Sequence, residues 1–90
     1  DKHEIQLREN PTSIGSTLKF STSTRFNHDA RVYIYDLKGK QLEDIHSIFD
    51  LDNNDFLHGS IMTNNFIPGT YILIIADNNS IAGTTVHVTH

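Results

Sequence analysis

Cysteine is absent from this 90-residue chain. Disulfides, thiolate metal sites and cysteine nucleophiles are therefore excluded. Tryptophan is absent as well, which removes the strongest platform for stacking on sugar rings. Basic residues are scarce: seven Lys and Arg stand against 11 Asp and Glu, a formal net charge of −4. The closest basic pair, Lys38 and Lys40, merely flanks Gly39. Nucleic-acid affinity comes mainly from clustered Lys and Arg, so a nucleic-acid partner is disfavoured. Long apolar runs are missing too. Residues 71–76 form the longest, far short of the roughly 20 that a membrane helix requires. No segment reads as a signal peptide.

What is present has a period of 2. Ninety residues fit one domain, and 37% apolar with 20% charged residues is an ordinary globular balance. In residues 5–8 apolar Ile5 and Leu7 alternate with Gln6 and Arg8, as on a half-buried strand. Asn10-Pro11 breaks that run. Leu18 and Phe20 share a face in residues 17–21. Residues 31–36 are β-branched and aromatic, with Val32 and Ile34 on one face and Tyr33 and Tyr35 on the other. Gly39 supplies a positive φ for a turn, so residues 31–45 are expected to form a β-hairpin. Ile48 and Phe49 precede a polar loop at residues 50–55, and residues 56–62 suit another strand. Pro68-Gly69 leads into residues 70–76, which are apolar on both faces and so suit a central strand. Residues 82–88 close the chain, with Thr84, Val86 and Val88 on one face. About seven short strands separated by turn residues predict an all-β antiparallel sandwich.

The chemistry-bearing residue types fail the spacing tests. The six histidines are His3, His28, His46, His58, His87 and His90. A metal pair on a strand needs i, i+2 spacing, and none has it. Asp50, Asp52 and Asn54 match the first ligand positions of a calcium loop. The match then breaks, because Asp55 stands where glycine is needed and Ile61 where glutamate is needed. A solvated turn is the simpler reading. No nucleophile elbow, H-E-x-x-H or phosphate loop occurs, so a binding role is expected rather than an enzyme. Tyr33, Tyr35 and Tyr71 are the aromatic candidates for sugar binding, although a tyrosine pair more often covers a neighbouring strand. Residues 78–80 fit an N-glycosylation acceptor, relevant only in a eukaryotic secretory setting. No cofactor or metal is implied.

Three blocks resemble the type A C-terminal sorting domain of bacterial type IX secretion cargo. The first is Asn10-Pro11 after a short strand. The second spans residues 32–40, Val-Tyr-Ile-Tyr-Asp-Leu-Lys-Gly-Lys, similar to a V-x-I-Y-D-L-x-G-K hairpin with Val32, Tyr35, Asp36 and Gly39 in place. The third is Pro68-Gly69-Thr70-Tyr71, similar to a P-x-G-x-Y strand opening and followed by a final strand. The resemblance implies an Ig-like sandwich lying at the C-terminus of a longer protein. It implies partners too: an upstream passenger domain, the outer-membrane secretion machinery and a sortase. It also implies passage through the periplasm to the cell surface or beyond. Residues 70–90 would carry the signal, with Gly69, Tyr71, Thr84, Val86 and Val88 as the recognition set.

The chain departs from that pattern at three places, the first being a longer stretch between Ile45 and Asn65 than the family leads one to expect. Arg8-Glu9 stands where the family commonly has Y-P before N-P, and no lysine ends the sequence. The Ig-like domain of the flagellar hook-capping type shares the N-P opening and hairpin, and resembles this chain equally well. Such domains are retained in surface components, including a gingipain-like sortase. Carbohydrate or calcium binding is a third expectation.

Overall fold

A computed structural model describes residues 5–43 and 45–90. Eight strands run in order: β1 (Ile5–Leu7), β2 (Thr12–Ser13), β3 (Thr17–Arg25), β4 (Arg31–Asp36), β5 (His46–Leu51), β6 (Phe56–Met62), β7 (Gly69–Ala76) and β8 (Ile81–Thr89). They form two four-stranded sheets, ordered β1-β3-β6-β5 and β2-β8-β7-β4. This is the strand order of a constant-type immunoglobulin sandwich, with the first strand split between the sheets.

The alternation follows from burial. In β3, Leu18, Phe20 and Thr22 point inward while their neighbours stay in water. In β7, Tyr71, Leu73 and Ile75 point inward, and Ala82, Val86 and Val88 of β8 lie beside them. Ile34, Leu57 and Ile61 complete the fully enclosed centre. Each such aliphatic side chain contributes about 1.5–3 kcal/mol of burial free energy. β7 lies between β4 and β8, as its two apolar faces predict. On its outer face Ile72 lies opposite Tyr35, and Ile74 opposite Tyr33. The two tyrosines are half-buried, with ring centroids 6.5 Å apart. They therefore cover the neighbouring strand.

Thr22 manages an irregularity. The β3–β6 register shifts between Ser21 and Arg25. There the Thr22 hydroxyl donates to the Leu57 carbonyl at 3.0 Å and accepts the Leu57 N–H at 2.9 Å. A side chain thus replaces a missing rung of the ladder.

Two expectations need correction. The hairpin over residues 31–45 forms only around its turn, where Asp36 N–H donates to the Lys40 carbonyl and Leu42 N–H to the Ile34 carbonyl at 2.8 Å, and it does not continue to residue 45. Along its other edge β4 pairs with β7, and on the turn side Tyr35 bridges to Gln41. The reason the hairpin stops is apolar content: Leu42 and Ile45 pack against the core, which draws the chain out of β4's sheet and across to the other. Asp44, within that segment, lies outside the described residues. The chain then forms β5, an unforeseen strand that pairs with β6. The second correction concerns direction. β2 runs parallel to β8, Thr12 opposite Val88, so the sandwich is mixed rather than wholly antiparallel.

Register defines two poles on a body about 35 Å long. The upper pole holds the connections 26–30, 52–55 and 77–80. Phe26 N–H donates to the Asp55 carbonyl, and Asn27 N–H donates to the Asp77 carboxylate. The lower pole holds the connections 8–16, 37–45 and 63–68. Buried Thr63 ties it together, donating to the Ser16 carbonyl at 2.6 Å and accepting the Gly15 N–H at 3.1 Å. Ile14 N–H reaches the Thr89 carbonyl at 2.7 Å.

Candidate functional site

The motif residues converge on the lower pole. Asn10 follows β1, and the Asn10-Pro11 bond is cis. Asn10 is exposed, yet its side-chain amide is engaged. Its Oδ1 accepts the His87 N–H at 2.9 Å, and its Nδ2 donates to the Thr85 carbonyl at 3.3 Å. One side chain thus completes two edge positions of β8, imitating a paired strand. β2 continues the same column at Val88 and Thr89.

The Asp36–Lys40 turn explains its own sequence. Asp36 Oδ1 accepts the N–H groups of Lys38 and Lys40, each at 2.9 Å. Asp36 N–H donates to the Lys40 carbonyl at 2.9 Å, and Gly39 N–H to the Asp36 carbonyl at 3.1 Å. Gly39 has φ 88°, which a side chain would oppose. Asp36 and Gly39 are therefore turn residues, and Val32, opposite Ile75 near the other end of β4, is half-buried.

Tyr71 sits opposite Asp36 at the start of β7. Only 8% of it is exposed. Its hydroxyl donates to the Ile67 carbonyl, four residues upstream. Its ring meets Phe66 edge-on, centroids 5.1 Å apart. A tyrosine that fastens the start of this strand to the preceding connection is the tyrosine corner of Greek-key sandwiches. Gly69 opens β7 opposite Val88.

Of the expected recognition residues, Tyr71, Val86 and Val88 are core side chains. Thr84 is half-buried, and Gly69 is exposed. The side chains that β8 offers to solvent near this pole are the alternate ones, Thr85, His87 and Thr89. His87 Nδ1 and the Thr70 hydroxyl are 3.1 Å apart across the β7–β8 pair. Sequence reasoning missed the Asn10 contact with β8, because its partners lie 75 and 77 residues away. Beside these elements lies an open groove of about 610 Å³, lined by Leu42, Ile45, Phe66, Ile67 and Tyr71, with Lys40 at its rim.

The acidic loop serves its own backbone. Asp52 Oδ1 accepts the N–H groups of Asn54 and Phe56 at 2.8 and 3.1 Å. Asp50 Oδ1 accepts the Leu51 N–H at 2.8 Å. Asp55 has φ 66°, the left-handed conformation that aspartate tolerates in turns. Among the described residues, no group of three His, Asp or Glu side chains comes together. His28, His46, His58, His87 and His90 are exposed and dispersed, and His3 lies outside the described residues. Every described buried side-chain nitrogen and oxygen has a partner.

At the upper pole Asp77 closes the β7–β8 turn. Its Oδ1 accepts Asn79 and Ser80 N–H groups at 2.7 Å each. Its carboxyl is held below the ordinary value, chiefly by the Asn27 N–H. Desolvation opposes this, and the Asn79 and Ser80 N–H groups add to it. Folding lowers this pKa, so the carboxylate stabilises the fold above its ordinary value of 3.8. That contribution is lost as the pH falls through the lower folded value. Urea titrations at neutral pH and below about pH 4 should therefore show wild type losing more stability on acidification than Asp77→Asn. Equal losses would show that this carboxylate does not couple to folding.

No protein-family model matches this chain, and no curated protein is significantly similar to it.

Proposed function

We propose that this domain is a C-terminal sorting module. It directs a fused passenger through the type IX outer-membrane secretion machinery to the cell surface. The observation that carries this reading is the gathering of three distant sequence blocks on one ladder. Asn10 holds β8, Gly69 and Tyr71 begin β7 beside it, and the Asp36 turn ends β4 next to Tyr71. β1 begins at the opposite pole, where Ile5 pairs with Thr22. A passenger joined ahead of Ile5 would leave the motif-bearing pole open to a receptor. On this reading Tyr71, Val86 and Val88 act by holding the shape, and a receptor reads Thr85, His87, Thr89 and Gly69.

Arg8-Glu9 ahead of Asn10-Pro11 favours a second reading. The domain would then be retained as an Ig-like part of a surface or secretion component. Mass spectrometry of the mature surface protein separates the two, because only retention leaves these residues on the product.

The test fuses the domain to a periplasmic reporter in a bacterium that has the secretion system. Deleting residues 81–90 removes Ala82, Val86 and Val88 from the core and should abolish surface display. The double variant Thr85→Glu/His87→Glu alters exposed positions only, so it should stay folded and still lose display. A reporter that reached the surface with the folded double variant would remove the receptor-facing role of β8. Display of the truncated form would remove the sorting reading altogether.

A further inference from the structure

The upper half of β8 has an open edge. Thr85 and Thr89 carbonyls and the His87 N–H all point away from β7, where Asn10 and Ile14 meet them. Backbone groups alternate along a strand, so those of Ile81 and Gly83 point the same way. Among the described residues no strand pairs with that side of residues 81–84, because β2 covers only Val88 and Thr89.

Natural sheets blunt such edges with charge, proline or a covering segment. The other edges here follow that rule. β4 is covered at its lower end, where Leu42 N–H reaches the Ile34 carbonyl at 2.8 Å. β5 carries Asp50, whose carboxylate takes up the Leu51 N–H. β1 is only three residues long. Residues 81–84, Ile-Ala-Gly-Thr, carry neither charge nor proline. Ile81 is 66% exposed, an uncovered apolar side chain on this edge. Gly83 presents bare backbone next to Ile74.

We infer that residues 81–84 pair antiparallel with the same residues of a second copy of this chain, forming a twofold dimer. The segment is complementary to itself. Asn10 already holds the Thr85 carbonyl, so the residues with both outward backbone groups available to pair are Ile81 and Gly83. An antiparallel pair that uses both places Ile81 of each copy opposite Gly83 of the other. Four N–H···O=C bonds form around a central Ala82 pair. Each exposed isoleucine then lands on a glycine and the apolar Ile74 beside it. No like charges meet, and the two copies join into one eight-stranded sheet. This pairing does not depend on the sorting reading.

Sedimentation equilibrium of the wild-type domain up to about 0.5 mM should show a reversible dimer, since an edge pairing of this size is a weak association. Ile81→Lys places a charge on the edge, and Gly83→Pro removes an outward N–H that β7 does not use. Each should weaken the dimer at least about tenfold while the domain stays folded by circular dichroism. The chain has no cysteine, so the register can be read directly. A mixture of Ile81→Cys and Gly83→Cys proteins should form a disulfide-linked heterodimer under mild oxidation, and neither protein alone should. A wild type that stays monomeric throughout overturns the inference and leaves the edge to a foreign strand. So does a folded lysine variant that dimerises like wild type, or crosslinking that does not discriminate the mixture from its components.

Discussion

Tyr71→Ala should destabilise the domain by about 3–5 kcal/mol, the range for removing a large aromatic from a core. A domain of this size has only about 5–10 kcal/mol in total, so most of its stability would be gone. Two losses combine. The ring leaves a cavity against Phe66 at the base of β7, and the Ile67 carbonyl loses its donor. Tyr71→Phe isolates the second loss and should cost about 1 kcal/mol, the net worth of one hydrogen bond. Urea denaturation of both variants measures the two terms. The pair also bears on function. If Tyr71 acts by holding the lower pole, the folded phenylalanine variant keeps surface display. If a receptor reads the hydroxyl, that variant folds and fails. An alanine variant within 1 kcal/mol of wild type would show that the corner is not an anchor.

Gly59→Ala is the second large effect, and its cause is the reverse: too much matter rather than too little. Gly59 lies in β6 between Phe20 of β3 and Phe49 of β5. A Cβ placed there would come 2.3 Å from the Ile48 carbonyl oxygen and 2.7 Å from the Phe49 Cβ. Neither atom is the free end of a flexible chain, so β5 itself would have to move. Such overpacking costs about 1–3 kcal/mol, occasionally more. For a domain near this size each kcal/mol lowers the melting temperature by about 4–8 °C, so a fall of about 4–24 °C is expected by calorimetry. Most glycine-to-alanine changes on a strand are mild or favourable, because glycine weakens strand interiors. A Gly59→Ala protein that melted at or above wild type would mean that β5 gives way freely, and that its edge is only loosely bound to the sheet.

Much of the sandwich was legible because strand burial has a period of 2 and needs only local information. The inward residues of β3, β7 and β8 were visible as Leu18 and Phe20, the apolar run 71–75, and Val86 with Val88. The central place of β7 followed from its two apolar faces. The Asp36–Lys40 turn was readable because its chemistry is local: an aspartate acceptor and a glycine at positive φ. The acidic loop was readable as a turn for the same reason, since Asp52 satisfies backbone groups only two and four residues away.

What failed was pairing. Residues 41–45 have alternating character and follow a turn, so a hairpin with β4 is the local solution. The tertiary solution keeps only the first rungs, Asp36 with Lys40 and Ile34 with Leu42, while β7 pairs with the opposite edge of β4. Leu42 and Ile45 then serve the core better as a crossing segment. β5 was obscured because Ile48 is 78% exposed and Phe49 half-buried, an inversion of what two adjacent apolar residues suggest. The parallel β2–β8 pair was invisible, since two residues have no period.

The all-β class, the turn chemistry, the absence of thiol chemistry and the faces of the long strands follow from the order of residues alone. Each of these depends on residues within a few positions of one another. Folding in three dimensions settles which strands share a sheet, that Asn10 fastens the last strand, and that Tyr71, Val86 and Val88 are buried rather than displayed. It alone left residues 81–84 with an open edge. Those outcomes depend on groups up to 77 residues apart, whose meeting is settled by competition among all possible partners for one small core.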